Sequence, residues 1–442
     1  MGDMQRWTRR LLSLTLLACA PLAAEIRSLT ILHTNDLHAR LMPLENHHGG
    51  FAYLAAVIRR ERADCKDCIL LNAGDLAQGT PVSTIFHGLP VFEIANLLGF
   101  DAGTLGNHDF DYGWMQARKF IQISTYPIVA SNVAGVNGQL FAPKPYLILD
   151  VNGLRVAVIG AMTDDLKSLS TPKILQQWHT LPVVETARKY AVELKSKSDL
   201  IVLLGHISPK EELQFLSSAP EIPVLVTGHA HIGIPEPLTQ DGRIVVRVKG
   251  YGEELGRLEL KVDTEKKAPV SWTWKHILVD STAVTPAADV ALEVKRWEEE
   301  VRARVDQPLA VSKHKFERRE VKHLIEQAIR ESTGADFAWM NQGGVRDIIP
   351  EGQVLARHIW NIMPFDNHVV FGKFKGRDLP AVVIGGRQVD PEADYTLAVT
   401  DFTAANQGSA ENLQTTGLQF PGDSGLLRDV LLDWFRKKKV IE

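Results

Sequence analysis

The 442-residue sequence has little cysteine and no excess of either charge. Three cysteines are too few for a disulfide framework; Cys65 and Cys68 are spaced for a local disulfide in a polar turn, which we predict in preference to a catalytic role. The 49 basic and 53 acidic residues give a net charge of −4, which does not favour a basic nucleic-acid binder. No internal repeat is visible. Hydrophobic residues make up 45% of the chain, and its length predicts two or three compact units.

Apolar runs long enough to span a membrane are absent, and the first 24 residues are typical of an export signal. Their features, in order, are Arg6, Arg9 and Arg10, the apolar stretch Leu11 to Leu17, and small residues around Ala20, Ala23 and Ala24. We therefore predict a signal peptide at residues 1–24 and a periplasmic or exported chain. Cleavage near Ala24, a lipoprotein anchored at Cys19 and a twin-arginine route all stay open.

Short apolar runs alternate with helical patterns over residues 25–285, which predicts an α/β domain with a layered sheet. The strands are predicted at Leu29 to Leu32, Cys68 to Leu71, Leu154 to Ile159, Leu200 to Leu204 and Pro223 to Val226, with antiparallel strands at Arg243 to Val248 and Leu258 to Val262. A charged, solvent-exposed helix is predicted as a connector over residues 286–305. Residues 306–442 are expected to form a second domain with a helix at Glu320 to Ser332 and strands at Val369 to Phe374 and Tyr395 to Val399.

Five polar clusters follow strand or turn segments of the first domain: Asp36-Leu37-His38, Gly74-Asp75, Gly106-Asn107-His108-Asp109, Gly205-His206 and Gly228-His229-Ala230-His231. Loops after the carboxyl ends of strands converge on one crevice in open α/β sheets, so these clusters are expected to meet. Aspartate oxygens and imidazole nitrogens suit zinc, manganese, iron or cobalt, and the lack of cysteine in the clusters disfavours a structural zinc site. The pattern therefore predicts a hydrolytic metal site.

In this order the clusters resemble the calcineurin-like metallophosphoesterases. The segments ILHTNDLH, GGFAYLAAVIRR, NAGDLAQGT, LGNHDFDYG, LLGH and VTGHAH further resemble the secreted 5′-nucleotidase and UDP-sugar hydrolase family. Asn341 to Asp347 and Met363 to Asn367 resemble that family's nucleotide-binding domain. The resemblance implies a four-layer sandwich of two sheets flanked by helices, followed by a smaller α+β substrate-binding domain.

The resemblance also implies two divalent ions (Zn, Mn, Co or Fe) that generate a hydroxide to attack phosphorus. By motif position, one ion would be held by Asp36, His38, Asp75 and His231, and the other by Asp75, Asn107, His206 and His229. Asp75 would bridge the pair. His108 and Asp111 correspond to the family's catalytic His and Asp, whereas Asp109 is given no role. His231 stands where the family tolerates an amide.

The resemblance assigns substrate contacts in the second domain as well. Phe365 and Phe402 match a base-stacking pair, and Arg346, in the motif that begins at Asn341, matches a phosphate-binding arginine. Lys315 falls at the position of the second phosphate-binding arginine, with Arg318 and Arg319 nearby. Gly408 replaces the acid of the family's usual Gly-Gly-Asp, which departs from its pattern of ribose recognition.

The function predicted from these features is metal-dependent removal of the 5′-phosphate of a nucleotide. An alternative enzyme uses the same metal centre on a cyclic nucleotide, a UDP-sugar or a sulfur substrate of the thiosulfohydrolase type. An alternative of another class is a catalytically silent surface binding protein. The expected partner is a small-molecule nucleotide or related phosphate ester, with no nucleic-acid polymer and no transmembrane segment.

Overall fold

The computed structural model describes residues 25–409 and 412–442. The predicted signal peptide, with Cys19 and Ala24, lies outside the described residues. Within those ranges, no helix is long and apolar enough to cross a bilayer.

The described residues form strands and helices throughout both halves of the chain. The strands are β1 (Ile26–Thr34), β2 (Cys68–Asn72), β3 (Ala102–Gly103), β4 (Val133–Gly135), β5 (Tyr146–Val151), β6 (Leu154–Met162), β7 (Trp178–Thr180), β8 (Leu200–His206), β9 (Val224–Thr227), β10 (Leu238–Gln240), β11 (Arg243–Val246), β12 (Glu254–Asp263), β13 (Ala268–Leu278), β14 (Pro308–Ser312), β15 (Phe337–Ala338), β16 (Gly352–Leu355), β17 (His368–Lys375), β18 (Asp394–Thr400), β19 (Gly422–Leu426) and β20 (Val440–Ile441). The helices are α1 (Phe51–Ala63), α2 (Pro81–Ile85), α3 (Leu89–Ala95), α4 (Trp114–Ile123), α5 (Pro172–Leu175), α6 (Val183–Leu194), α7 (Pro209–Ser218), α8 (Ala288–Val305), α9 (Arg318–Thr333), α10 (Ala356–Ile362), α11 (Ala381–Ile384), α12 (Asp401–Ala405) and α13 (Leu427–Lys438).

Two sheets pack face to face in the first half of the chain. One has the strand order β13-β12-β1-β2-β3 and the other β10-β11-β9-β8-β6-β5. Apolar side chains of β1, such as Ile31, meet side chains of β6 and β8, such as Val158 and Val202, in a core between the sheets. Helices α1 and α4 cover the outer face of the first sheet, and α6 and α7 cover that of the second. This order of layers confirms the predicted four-layer sandwich.

The predicted strands of the first domain all overlap observed strands; residues 243–248 extend two residues past β11, and one strand has an error of direction. β12 runs antiparallel to β1, as expected. β11 is antiparallel to the short β10 but parallel to β9, where Ile244 lies opposite Val224. The antiparallel prediction for residues 243–248 was therefore wrong on the β9 side, because an alternating pattern shows which face of a strand is buried but not which way the strand runs.

Helix α8 packs more tightly on the first domain than its charge suggests. Four valines of α8, spaced by four or seven residues, are buried in the same core as residues of α1: Val290, Val294, Val301 and Val305. Arg357 of α10 pairs with Glu298 at 2.6 Å and with Asp306 at 2.8 Å, just beyond the helix. The prediction of a solvent-exposed connector is correct for one face of this helix only.

The second half of the chain has its own core. The three-stranded sheet β16-β14-β20 and the four-stranded sheet β15-β18-β17-β19 pack with α9, α10 and α13. Trp360 of α10 packs against this core and also against the core of the first domain. The predicted α+β class is confirmed, and the two domains are in direct apolar contact.

Cys65 and Cys68 are both free thiols in the structure, so the predicted local disulfide is not formed. The Cys68 Sγ atom lies 3.5 Å from the carbonyl oxygen of Cys65, and burial raises the pKa of Cys68 to about 12. A thiol with so high a pKa is a poor nucleophile, which agrees with the absence of a predicted catalytic role.

Candidate metal centre and active site

The loops that follow β1 and β2 run side by side beyond the ends of these strands. The Asp36 amide donates to the Gly74 carbonyl and the His38 amide to the Asp75 carbonyl, both at 3.0 Å. Asp36, His38 and Asp75 have positive φ angles of 53°, 45° and 53°, a region that non-glycine residues occupy at a cost of order 1 kcal/mol or more. The backbone is strained where the sequence predicts metal ligands.

Four of the predicted ligands converge at this point. One donor atom from each of Asp36, His38, Asp75 and His231 lies within 4.8 Å of the other three. The Nε2 atoms of His38 and His231 are 2.9 Å apart. His231 Nε2 is 3.4 Å from Asp36 Oδ1, and His38 Nε2 is 3.6 Å from Asp75 Oδ2. These are the four residues assigned from the sequence to the first metal ion.

The other predicted ligands lie on the far side of Asp75. His206 donates from Nδ1 to the Ala73 carbonyl at 2.8 Å, which directs Nε2 into the cluster. That Nε2 atom is 3.1 Å from Asp75 Oδ2 and 3.1 Å from Asn107 Oδ1. The His229 ring lies 5.0 Å from the His206 ring, centroid to centroid. Asp75 therefore stands between two groups of donor atoms.

One glycine is required for this close packing. A Cβ atom on Gly106 would lie 1.9 Å from Asp75 Oδ1, closer than any non-bonded contact allows. The His108 amide, two residues on, donates to the same Asp75 oxygen at 2.8 Å. The Gly-Asn-His spacing thus allows the third loop to approach the carboxylate directly.

Burial and neighbouring charges shift the pKa values of the carboxylates in the cluster. Burial raises the pKa of Asp36 to about 6. Burial alone would also raise the pKa of Asp75, but His206 and His108 hold it well below its usual range. Burial would lower the pKa of His206, yet Asp75 and Asp36 raise it to about 9. The buried carboxylates thus favour a positive charge beside them.

The remaining imidazoles are neutral and suited to a metal. Burial lowers the pKa of His229 to about 3 and lowers those of His38 and His231 well below the usual value. Neutral ring nitrogens 2.9 Å apart present two lone pairs to each other unless they share a proton or a cation. Asp75 Oδ2 is also buried, with His206 Nε2 at 3.1 Å and His38 Nε2 at 3.6 Å. This donor set fits divalent metal ions of the zinc and manganese type.

The predicted catalytic pair lies at the edge of the cluster. His108, in the short 3₁₀ helix Asn107–Phe110, has its Nδ1 atom 2.8 Å from Asp111 Oδ2. Both side chains are 15% exposed, so they are open to a ligand. Burial raises the pKa of Asp111, and the charge of His108 opposes that shift. Asp111 thereby fixes the ring orientation and leaves Nε2 of His108 free to act.

Asp109, which the sequence left without a role, ties two site loops together. Its carboxylate accepts hydrogen bonds from the Ala77 amide at 3.0 Å and the Gly106 amide at 2.8 Å. Burial, and then the charge of Asp75, raise its pKa to about 7. It holds the loop after β2 against the loop that carries His108.

Two predicted substrate residues of the second domain reach the cluster. Arg346 Nη2 is 3.4 Å from His38 Nε2. The Phe365 ring lies 5.8 Å from the His108 ring, and the Arg346 guanidinium carbon is 5.9 Å from the Phe365 centroid. A cation and an aromatic face thus border the catalytic pair.

The other predicted substrate residues are less closely placed. Asn341 is buried at the start of the 3₁₀ helix Gln342–Gly344. Phe402 is half-buried in α12, and among the described ring contacts it is not paired with Phe365. Lys315 is exposed and paired with Glu317 at 3.0 Å. These positions do not by themselves assemble a nucleotide pocket.

The structure brings Arg318, rather than Lys315, towards Arg346. Arg318 is half-buried and donates from Nε to the Val345 carbonyl at 2.7 Å. Burial lowers its pKa, and the charges of Arg346 and Arg40 lower it further. The sequence analysis named Arg318 only as a neighbour of Lys315, because counting along the chain does not show that α9 begins at Arg318 and that its first turn directs side chains differently from the loop before it.

Tyr251 is a further site residue that the sequence analysis missed. Its hydroxyl lies 3.2 Å from His231 Nδ1, and its amide donates to the Asp36 carbonyl at 2.6 Å. It has a positive φ of 63° between Gly250 and Gly252, and this Gly-Tyr-Gly turn was the available signal. A hydroxyl at Nδ1 orients the ring so that Nε2 faces the cluster.

The fold and this cluster together define a metal-dependent hydrolase. Comparison with known proteins identifies its kind. Residues 29–233 match the model of the calcineurin-like phosphoesterases, and residues 301–383 match the 5′-nucleotidase C-terminal domain. Residues 29–233 thus form a calcineurin-like phosphoesterase domain, and the chain also carries a 5′-nucleotidase C-terminal domain.

Individual relatives support this assignment. The chain is 26% identical over 443 residues to UshA of Yersinia enterocolitica, covering 86% of this chain and 80% of that protein. It is 25% identical over 456 residues to the endonuclease YhcR of Bacillus subtilis, covering 86% of this chain but 37% of that protein. The structure of a 5′-nucleotidase precursor from Thermus thermophilus matches with a TM-score of 0.84 at 24% identity, covering 94% and 97% of the two chains.

Proposed function

We propose that this chain is an exported 5′-nucleotidase that hydrolyses the phosphate ester of a nucleoside monophosphate with two divalent metal ions. The metals would be Zn, Mn, Co or Fe. Asp36, His38 and His231 would hold one ion, and Asn107, His206 and His229 the other, with Asp75 shared between them. Such ions neutralise phosphoryl charge and lower the pKa of a water molecule.

The observation that carries this proposal is the position of Arg346 and Phe365. Both belong to the second domain, yet Arg346 Nη2 is 3.4 Å from His38 Nε2 and the Phe365 ring lies 5.8 Å from the His108 ring. A phosphate bound at the cluster would meet the arginine fork, and a base would meet the aromatic face. A hydrolase for a generic ester has no need of this second set of contacts.

His108 and Asp111 are suited to proton transfer at the leaving group. The hydrogen bond of 2.8 Å between Nδ1 and the Asp111 carboxylate fixes the orientation of the His108 ring. When water attacks phosphorus and the bond to the ester oxygen breaks, Nε2 of His108 would give its proton to the departing alkoxide. The products would be a nucleoside and inorganic phosphate.

The arginines around the cluster provide an anion-binding surface. Arg346 and Arg318 lie near one another, and Asp347 is the carboxylate that offsets part of their charge. Their net positive charge would draw a phosphate towards the metals and hold its oxygens. We propose Arg318 as the second phosphate contact in place of Lys315.

We also propose that the chain is exported, on the basis of the arginines and apolar stretch of residues 1–24. Mass spectrometry of the mature amino terminus in an expressing bacterium tests this. A terminus near residue 25 is expected for plain cleavage, a lipid-modified Cys19 identifies a lipoprotein, and an intact first methionine contradicts export.

The function is tested by phosphate release from AMP, UDP-glucose, 2′,3′-cyclic AMP and p-nitrophenyl phosphate by metal-reconstituted protein. Strong cleavage of AMP, abolished by a chelator and sharply reduced in His108→Ala, is expected. His276→Ala is the matched control because it removes a half-exposed imidazole from β13, away from the cluster. Cleavage of p-nitrophenyl phosphate alone would contradict nucleotide specificity, and no turnover despite full metal occupancy would indicate a silent binding protein.

A further inference from the structure

A partly buried ion pair joins the two domains directly beside the metal cluster. Arg40 donates from Nη1 to Asp347 Oδ2 at 2.8 Å, and the side chains are 9% and 25% exposed. Arg40 follows the metal-site residue His38 by two positions, and Asp347 follows Arg346 by one. The pair therefore connects a loop of the metal cluster to Asp347, the residue that directly follows the anion-binding Arg346.

Arg40 is itself fixed to the cluster. Its guanidinium carbon lies 5.4 Å from the centre of the Tyr251 ring, whose hydroxyl is 3.2 Å from His231 Nδ1. Asp347 is held on its side too, because its Oδ1 accepts from the Ile348 amide at 2.9 Å. Both ends of the ion pair are thus held by contacts within their own domains.

A second contact of the same kind lies next to Phe365. Thr84 donates from Oγ1 to the Pro364 carbonyl at 3.1 Å, and this hydrogen bond is buried. Each second-domain residue that borders the catalytic pair is therefore adjacent in sequence to a residue bonded to the first domain. Of the two contacts, the ion pair carries charge and has the larger expected effect.

We propose that Arg40 and Asp347 are positioning residues, whose ion pair sets the second domain in register with the cluster so that Arg346 meets the phosphoryl group. This inference rests on the proposed function. Without the carboxylate, Arg40 would keep a buried, unpaired charge next to Arg346 and Arg318, and like charges there would repel one another. The pair thus favours the arrangement in which both domains face one ligand.

A kinetic cycle tests this role. Asp347→Asn keeps the shape of the side chain and removes its charge, so kcat/KM for AMP is expected to fall roughly tenfold to a hundredfold, as for a lost charge-assisted hydrogen bond. If the pair acts through Arg346, the double variant with Arg346→Ala is expected to be no slower than Arg346→Ala alone. Full additivity, or kcat/KM within about twofold of wild type, would overturn the proposal.

Asp199→Asn is the matched control. Asp199 also accepts a hydrogen bond from an arginine, at 2.7 Å, and its side chain is 14% exposed against 25% for Asp347. Both members of its pair, Arg155 and Asp199, belong to the first domain, so kcat/KM is expected to stay within about twofold of wild type. Equal losses in Asp199→Asn and Asp347→Asn would show a general effect on folding and would overturn a positioning role.

A second readout needs no substrate and separates this inference from the proposed function. The free thiols are first removed by Cys65→Ser and Cys68→Ser. Spin labels attached at Val136→Cys in the first domain and Val382→Cys in the second, both exposed positions, then report the interdomain distance. Asp347→Asn and Arg40→Gln are expected to broaden the distance distribution, and Asp199→Asn to leave it unchanged. An unchanged distribution in both pair variants would overturn the inference even if AMP is not the substrate.

Discussion

The metal cluster of the first domain and the substrate residues of the second are built in different ways. Asp36 and Asp75 are fully buried, and loops from several strands hold them by backbone hydrogen bonds. Phe365 and Phe402 are half-buried and Lys315 is exposed. The metal cluster is thus fixed by one domain, whereas the residues proposed to recognise the substrate lie in the second. Substitutions in the first should lower kcat, and those in the second should mainly raise KM.

Substitution of Asp75, in the metal cluster of the first domain, is expected to have the largest effect. Asp75→Asn removes the charge shared between the two groups of ligands, so kcat for AMP should fall by more than about a thousandfold, since a metal supplies several kcal/mol of charge stabilisation. Rates at saturating substrate, with metal content by mass spectrometry, measure this. Asp199→Asn, which removes a carboxylate from a pair with Arg155, is the control. Unchanged turnover in Asp75→Asn would refute the shared-ligand mechanism.

Arg318 and Lys315 of the second domain are alternative candidates for the second phosphate contact. Arg318→Ala should raise KM for AMP roughly tenfold or more, because a charge-assisted hydrogen bond is lost. Lys315→Ala should change KM by less than about twofold, since its surface pair with Glu317 contributes little. Initial-rate kinetics on both variants decide the matter, and a larger effect at Lys315 would restore the assignment made from the sequence.

A smaller effect tests whether stacking and chemistry are separable. Phe402→Ala should raise KM for AMP by roughly fivefold or more, as expected for a lost base-aromatic contact, and leave kcat and the rate with p-nitrophenyl phosphate nearly unchanged. Parallel kinetics on the two substrates measure the difference. A fall in kcat with both substrates would place Phe402 in the structural core instead.

The last prediction concerns a buried group of the first domain outside the cluster, with no expected effect on catalysis. His33 stacks on Trp274 and has no hydrogen-bond partner for either ring nitrogen, and burial lowers its pKa to about 3. The unfolded ring takes up a proton near pH 6.5, so stability is complete above that pH and is lost progressively as pH falls towards 3. The loss is about 2 kcal/mol at pH 5.

His33→Leu should remove this acid-side loss. Urea unfolding at pH 8 and pH 5 measures it: the difference in unfolding free energy between the two pH values should shrink by about 2 kcal/mol in the variant. His179→Leu, on β7, replaces an exposed histidine and serves as the control. An identical pH dependence in wild type and His33→Leu would show that the buried ring is not kept neutral.

Sequence reasoning succeeded where a motif also fixes the geometry. Asp36 and Asp75 follow buried parallel strands, and Gly106 permits the approach of the next loop, so their convergence was predictable. It failed where the outcome depends on packing at a distance. The direction of β11 and the proximity of Arg318 to Arg346 are set by tertiary structure, and no local pattern encodes them.

The same distinction explains Asp109 and Tyr251. Neither is a predicted ligand, and each acts through a hydrogen bond to another loop or to a histidine. Such supporting residues have no characteristic spacing, because their partners come from distant segments. Residues that contact the reacting groups are therefore easier to predict from the sequence than the residues that support them.

Anomalous diffraction from crystals grown with manganese or zinc would show whether the buried Asp75 carboxylate is shared between two metal sites. Two ions per chain are predicted, both contacting Asp75, with His38 and His231 at one ion and His206 and His229 at the other. A single ion, or a second ion bound away from His206 and His229, would contradict a carboxylate shared between two metal sites.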